Sequence, residues 1–343
     1  MSKKPLKVAI NGYGRIGRCL LRALYESGRS DNIKVIAINE LAHIDSMVYL
    51  TRYDSTHGVF PGTVEQDNSK IIVNGDEIKV FNSNRPEEVS WHDLGIDILM
   101  ECSGQYSERT ELHRFIESGC PRILLSHPGA SSSDVDKTIV YGVNHSTLDD
   151  KSRIVSAASC TTNAIVPVLD MLHSQYGVNT AFLTTWHSVM NDQPLIDGYH
   201  HHDLRRTRSA MQSIVPVATG LAQGVERLLP MLSGRVHAKA IRVPIHNVSA
   251  IDLVTNLNST VSKEELNNFL KKSTNKLKGL FAHSERPHAS IDFNHNPHSG
   301  IIDTSHTSTS SSGLANILVW FDNEWGFANR MIDVAEAWQK KFI

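Results

Sequence analysis

Residues 6–40 constrain the fold more than any other stretch. Leu6-Lys-Val-Ala-Ile-Asn11 is an apolar run of strand length. It leads into Gly12-Tyr13-Gly14-Arg15-Ile16-Gly17, a G-x-G-x-x-G spacing. Arg18 to Ser27 then carries apolar residues at helical spacing and stops at Gly28. Ile33 to Asn39 reads as a second strand, with Glu40 at its end. A glycine pattern alone means little. Between a strand and a helix, and answered by an acid one strand later, it specifies a dinucleotide site. Glycines let the backbone approach a pyrophosphate, and the helix N-terminus faces its charge. Gly12, Gly14, Arg15, Ile16 and Gly17 are the candidate cofactor residues, and Glu40 the acceptor for ribose hydroxyls. A carboxylate there repels a 2′-phosphate, which favours NAD over NADP.

The segments that follow extend this unit. Ile71 to Val80 predicts a hairpin turning at Asn74-Gly75. Ile96–Cys102 reads as a buried strand, Glu111–Ser118 as a helix, and Arg122–Ser126 and Thr138–Val143 as strands. Strands alternating with helices predict an α/β fold, a Rossmann-type doubly wound parallel sheet. The pattern changes after residue 160. Thr180–His187 reads as a strand, Met190–Thr207 as a polar loop and Leu221–Leu228 as a helix. Ala238–Leu257 reads as a long strand region with a bulge at Pro244. Lys263–Lys276 reads as a helix opened by a Ser262-x-x-Glu265 capping box. Ala289–Phe293, Ser299–Asp303 and Ala315–Phe321 add strands, and Asn329–Lys340 a closing helix. The run Thr304–Ser312 suits a solvated loop or edge strand. Long strands with few crossovers predict an α+β domain with a mostly antiparallel sheet and helices on one face.

Between the two patterns lies Ser159-Cys160-Thr161-Thr162-Asn163. A strand-like run, Arg153–Ser159, precedes it, and helically spaced Ala164–Leu172 follows. Pro167 suits such a helix only in its first turn or two. A cysteine at a helix N-terminus meets the positive end of the dipole, which favours the nucleophilic thiolate. A buried, inert cysteine is the competing reading. A cofactor motif and a second reactive residue elsewhere in the chain weigh against it.

The chain has 343 residues, enough for two domains, and a formal net charge of −2. That charge argues against a nucleic-acid or anionic-lipid partner. No apolar run is long enough to span a bilayer. Met1–Ile10 lacks the apolar region of a signal peptide. Four scattered cysteines fit neither a disulfide framework nor a zinc site and suit a reducing compartment. Cys19, Cys102 and Cys120 lie in apolar contexts and are expected in the core. Adjacent His200, His201 and His202 cannot easily aim at one ion, and no metal is expected. His295 and His298 read as structural.

Several segments together resemble the glyceraldehyde-3-phosphate dehydrogenase family, over nearly the whole chain. They are Ala-Ile-Asn-Gly-Tyr-Gly-Arg-Ile-Gly-Arg (9–18), Tyr-Asp-Ser-Thr-His-Gly (53–58), Ser-Cys-Thr-Thr-Asn (159–163), Arg-Val-Pro (242–244) and Asp-Asn-Glu-Trp-Gly-Phe-Ala-Asn-Arg (322–330). The resemblance implies an NAD-binding domain over 1–158, a catalytic domain over 159–323, and a C-terminal helix, 324–343, packing back on the first. It implies Cys160 as nucleophile, with His187 as a base that lowers the thiol pKa through an ion pair. Ser126 and Asn323 join the cofactor residues, Asn323 by holding the nicotinamide carboxamide. A cytoplasmic homotetramer is implied as well.

Four further segments are most similar to the members that oxidise D-erythrose 4-phosphate: Ala-Ile-Asn-Glu (37–40), Leu-Ser-His-Pro-Gly (125–129), His-x-Asp-Leu-Arg-Arg-Thr-Arg (201–208) and Asp-Phe-Asn-His-x-Pro-His-Ser (292–299). Met190 and Asp192 stand where typical phosphorylating members carry threonines, and His202 where they carry a lysine. Arg242 remains as a phosphate anchor, and Ser159, Thr161, Thr219 and Gly220 match a second phosphate-holding set. Arg205 and Arg208 are weaker substrate candidates that equally suit salt bridges at a subunit interface. The position after Asn163, often a second cysteine in the family, is Ala164. The implied reaction is NAD-dependent oxidation of a sugar phosphate to 4-phosphoerythronate through a cysteine thioester cut by water, supplying pyridoxal phosphate synthesis. A phosphorylating glyceraldehyde-3-phosphate dehydrogenase is the alternative. A non-catalytic nucleotide- or RNA-binding protein on the same scaffold is a third.

Overall fold

A computed structural model describes residues 4–200 and 203–342. The chain divides into two compact units, one up to Ser159 joined by the chain from Phe327 on, the other Cys160–Gly326. Among the described residues no helix is long and apolar enough to cross a membrane.

The first unit runs β1 (Leu6–Asn11), α1 (Arg15–Glu26), β2 (Ile33–Asn39), α2 (Ile44–Arg52), β3 (Tyr53–Asp54), β4 (Gly58–Val59), β5 (Val64–Asp67), β6 (Lys70–Val73), β7 (Asp76–Phe81), β8 (Ile98–Glu101), α3 (Arg109–Glu117), β9 (Ile123–Leu125), β10 (Lys137–Thr138) and β11 (Ile154–Ser156). Nine strands form a sheet in the order β10-β11-β9-β8-β1-β2-β7-β6-β5. From β10 across to β7 the neighbours are parallel, and β7-β6-β5 add an antiparallel edge. The chain leaves β1 to one side for β2 and returns to its other side for β8, which makes the carboxyl ends of these strands a switch point. The hairpin turns at Asn74 and Gly75, both at positive φ (49° and 90°), as its residues favour.

Some boundaries differ from the reading above. α1 begins at Arg15 rather than Arg18, because the glycine loop is already turning into the helix. α2 was not foreseen; its short, partly exposed sequence has little apolar periodicity. Thr138–Val143 is strand only at β10. Beyond it the Asn144 side chain accepts from Val140 N–H and donates to Thr138 C=O, folding the segment into a turn.

The second unit runs α4 (Cys160–Tyr176), β12 (Val178–His187), β13 (Val215–Val217), α5 (Leu221–Leu228), β14 (Val236–Arg242), β15 (Ser249–Leu257), α6 (Lys263–Lys276), β16 (Phe281–Ser284), β17 (Gly300–Thr309) and β18 (Leu314–Phe321). Its sheet order is β13-β14-β12-β15-β18-β17-β16, antiparallel except for β12-β14 and β16-β17. β12 alternates strictly: Ala181, Leu183, Thr185 and His187 are buried, while Phe182 and Trp186 are exposed. α4 packs against β12, β15, β17 and β18.

Three expectations change here. Ala238–Leu257 is not one bulged strand: Pro244 lies in the connection between β14 and β15, and β12 separates them in the sheet. Ala289–Phe293 is a 3-10 turn, closed by the Asp292 carboxylate accepting from Ala289 N–H. Because α4 begins at Cys160, Pro167 falls inside it, where it removes the backbone bond to Asn163 C=O. The Ser/Thr run continues β17 as far as Thr309.

The closing helix, α7 (Trp325–Phe342), belongs from Phe327 on to the first unit. There Trp338 Nε1 donates to Asp149 C=O at 3.0 Å, and Arg29 pairs with Asp333 at 2.6 Å.

Candidate active site

In the first unit the glycine loop and the ends of β1, β2 and β8 enclose a cavity of about 210 Å³, lined among others by Gly12, Gly14, Glu40, Ser83, Ser103 and Tyr106. Gly12 has φ +87°, and a Cβ there would lie 2.4 Å from the Ser103 backbone nitrogen. A Cβ on Gly17 would lie 2.3 Å from the Gly12 carbonyl, so this glycine lets the helix close on the loop. Gly14 differs: a Cβ there meets nothing within 4 Å. It is the uncapped N-cap of α1. That leaves a cradle of open backbone at a helix N-terminus, the surroundings a pyrophosphate needs. Glu40 Oε2 accepts from Tyr13 N–H at 2.6 Å, which ties the acid to the loop and leaves carboxylate lone pairs for ribose hydroxyls. The residues present fit a dinucleotide.

Arg15 opens α1 with its side chain turned to an acid of the same unit. Its guanidinium forms a two-pronged pair with Asp54 at 2.5 and 3.1 Å. Burial pushes the Asp54 carboxyl up, but Arg15 and the amides of His57 and Thr56 hold it well below its usual range. Ile16 follows in the first turn of α1. Ser126 stands just past β9, its N–H on the Glu101 carbonyl at 2.9 Å.

In the second unit parallel pairing sets His187 of β12 beside Arg242 of β14. Both close their strands on inward-facing positions, 9% and 8% exposed. Cys160 opens α4. The turn before it places Ala158 at φ +62°, a conformation costly for a residue with a Cβ. Cys160 Sγ lies 3.9 Å from His187 Nε2 and 3.8 Å from Thr161 Oγ1. His187 Nδ1 donates to the Ser188 carbonyl at 2.9 Å. That bond fixes the tautomer and leaves Nε2 as a proton acceptor facing the sulfur.

Burial works against the expected ion pair. Burial pushes the Cys160 thiol up, and neither Thr161 nor the Arg242 charge reverses it. Burial, then Arg242, pushes His187 down to about 4. Desolvation of both groups thus favours thiol and neutral imidazole and works against the helix terminus.

Asn323 is buried, and its Oδ1 accepts from Ser188 Oγ at 3.0 Å and Ser249 Oγ at 2.8 Å. Arg242 is not an open cation, since Asp192 Oδ2 lies 3.7 Å from it and 3.0 Å from Arg206. Arg206 is the residue the sequence did not single out. Arg205 is exposed, and Arg208 pairs with Asp197 at the surface. Only the 3-10 turn Leu204–Thr207 decides which arginine of the run faces Asp192. Thr161 lies in the first turn of α4, while Thr219 and Gly220 open α5, a helix packed against α4. Ser159 immediately precedes Cys160. His201 and His202 lie outside the described residues. Cys19 and Cys120 are buried and Cys102 half-buried, none of them in a disulfide. His295 stacks on Trp325 at 3.7 Å.

The two sites define an NAD-dependent oxidoreductase acting on aldehyde sugar phosphates, as the comparison with known families shows. Residues 6–109 match the NAD binding domain of glyceraldehyde 3-phosphate dehydrogenase, and residues 159–323 match its C-terminal domain. The chain carries both domains of the glyceraldehyde 3-phosphate dehydrogenase family, and its cofactor is NAD.

Proposed function

We propose that this chain oxidises D-erythrose 4-phosphate to 4-phosphoerythronate through a thioester on Cys160 that water cuts. The observation that carries the choice of substrate is the Asp192 carboxylate, 3.7 Å from Arg242. A carboxylate beside the anchor repels a sugar phosphate held there. The phosphate of a tetrose 4-phosphate sits one carbon further from the aldehyde than that of a triose, so it can bind clear of Asp192. The extra hydroxyl of the tetrose is a donor that the carboxylate can accept.

The chain's own groups divide the work. The Cys160 sulfur bonds to the aldehyde carbon as its proton passes to His187 Nε2. His187 returns that proton to the new oxyanion, then takes the hydroxyl proton when the carbonyl re-forms as a thioester. NAD, when bound, supplies the hydride acceptor. His187 then releases the hydroxyl proton to solvent, deprotonates the attacking water and hands its proton to the departing sulfur, so the acid leaves as the thiol is restored. Gly12, Gly14 and Gly17 would hold the pyrophosphate, Glu40 the ribose, and Asn323 the nicotinamide carboxamide.

Thr161 and the Thr219–Gly220 cap support a second reading, release by inorganic phosphate in a phosphorylating glyceraldehyde-3-phosphate dehydrogenase. An assay of NADH formation on both aldehydes, with and without phosphate, separates the two. Our reading expects preference for the tetrose and turnover without phosphate. Strict phosphate dependence with preference for the triose overturns it.

We also place the enzyme in the cytoplasm, in pyridoxal phosphate synthesis, and as a homotetramer. Four cysteines outside any disulfide suit a reducing compartment. Exposed Leu195, Ile196, Tyr199, Leu204 and Ile214, clustered in residues 195–214, suit burial between subunits.

A further inference from the structure

The reaction as derived leaves two buried hydroxyls unexplained, those of Ser188 and Ser249. Both residues are fully buried. They stand where β12 ends and β15 begins, and Phe321, the register partner of Ser249, ends β18 two residues before Asn323. Ser188 Oγ and Ser249 Oγ both donate to Asn323 Oδ1, at 3.0 and 2.8 Å. Ser249 Oγ in turn accepts the Ser188 N–H at 3.1 Å. Each hydroxyl proton therefore has one acceptor, and it is the same oxygen. Turning the Asn323 amide over would face two buried O–H donors with an NH₂ group and leave both protons unmatched. The serines thus decide which end of the amide is fixed against them.

A second observation bears on the same place. Val248, the residue before Ser249, has φ +66°. For a β-branched side chain this is a genuine outlier, and such conformations persist only where the surroundings enforce them. The strain sits at the residue that leads into Ser249.

We propose that Ser188 and Ser249 are positioning residues that lock the Asn323 amide so that only its N–H₂ is presented to the cofactor. The group it takes is then the oxygen of the nicotinamide carboxamide and not its NH₂. This rests on the reading that Asn323 holds that carboxamide. Ser188 has two roles: its carbonyl orients His187 and its hydroxyl orients Asn323. One buried residue thereby sets both the base and the cofactor clamp.

Binding, measured by titration calorimetry on the full chain, tests this apart from turnover. Three ligands are compared: NAD, ADP-ribose (which lacks the nicotinamide) and the 3-acetylpyridine analogue of NAD (which keeps the carbonyl oxygen but lacks the NH₂). Ser249→Ala is expected to weaken NAD and the acetylpyridine analogue alike, by about tenfold, relative to ADP-ribose. Ser249→Thr, which keeps the hydroxyl, is expected to recover most of the NAD loss. An equal loss on ADP-ribose would mean a general packing defect and overturn the proposal. So would a loss on NAD that vanishes with the acetylpyridine analogue, because Asn323 would then be accepting from the NH₂. Asn323→Ala separates the levels. If it leaves the NAD to ADP-ribose ratio unmoved, the reading beneath the proposal fails. If it moves the ratio and Ser249→Ala does not, only the serine proposal fails.

Discussion

At the scale of single residues, the place of the Cys160–His187 pair is legible in the sequence, while its charge depends on burial that the sequence does not show. A strand handing over to a helix puts a cysteine at a helix start, and this needs only local pattern. The protonation state depends on how deeply His187 is buried, which follows from the β12 alternation and from the helix covering that face. Burial holds the thiol up and the imidazole down to about 4, so thiolate in the free chain appears only as pH rises past the ordinary thiol range. Alkylation of Cys160 by iodoacetamide should accelerate steadily into alkaline pH, with no plateau between about pH 6 and 8. A plateau there would reveal the ion pair that burial opposes. Replacing the base, His187→Asn, should lower kcat/KM for the aldehyde by about a hundred- to ten-thousand-fold. Arg206 was beyond reach of the sequence, because neighbouring arginines in one run differ only in the direction a short turn gives them.

Among the elements, those closed by local chemistry were the readable ones. The glycine loop, the Asn74-Gly75 hairpin and the Ser262 capping box, with Ser262 Oγ accepting from Glu265 N–H at 3.2 Å, all carry their signals within a few residues. Those shaped by distant partners were not. β14 and β15 looked continuous because nothing local shows that β12 lies between them, and Ala289–Phe293 looked like a strand because its side chains do alternate. The loop glycines make a sharp prediction. Gly12→Ala should prevent stable folding, seen as loss of soluble protein or a collapsed melting temperature, since its Cβ meets backbone 2.4 Å away. Gly14→Ala should melt close to the parent yet bind NAD at least tenfold more weakly, about 1.4 kcal/mol, because its Cβ projects into the open cradle. Under the same cavity Glu101 ends β8, accepting from Asn11 Nδ2 at 2.5 Å and Ser103 N–H at 2.7 Å. Burial raises its carboxyl to about 7, against those hydrogen bonds. With the folded value above the unfolded one of about 4.3, the fold favours the proton. The stability this brings is complete below the unfolded value and lost as pH rises through about 7. Melting of the cofactor-free chain should therefore fall between about pH 5 and 8, and Glu101→Gln should flatten that slope.

For the molecule as a whole, the change from alternating strands and helices to long strands with few crossovers announced two folding units. Why the last helix leaves the second for the first was not legible in its own residues. It is written in partners far away in the chain, such as Asp149 for Trp338 and Arg29 for Asp333. The exposed apolar residues of the 195–214 region would be covered in the proposed tetramer. Sedimentation should give a mass of four chains, and Tyr199→Glu with Leu204→Glu should lower it. All of the proposed chemistry runs through one sulfur. The most direct test is NADH formation from erythrose 4-phosphate by the parent chain and by Cys160→Ser, side by side, with melting curves to show that both are folded. Our account predicts a loss of about a thousandfold or more in the serine variant. A folded serine variant that works within tenfold of the parent would contradict it.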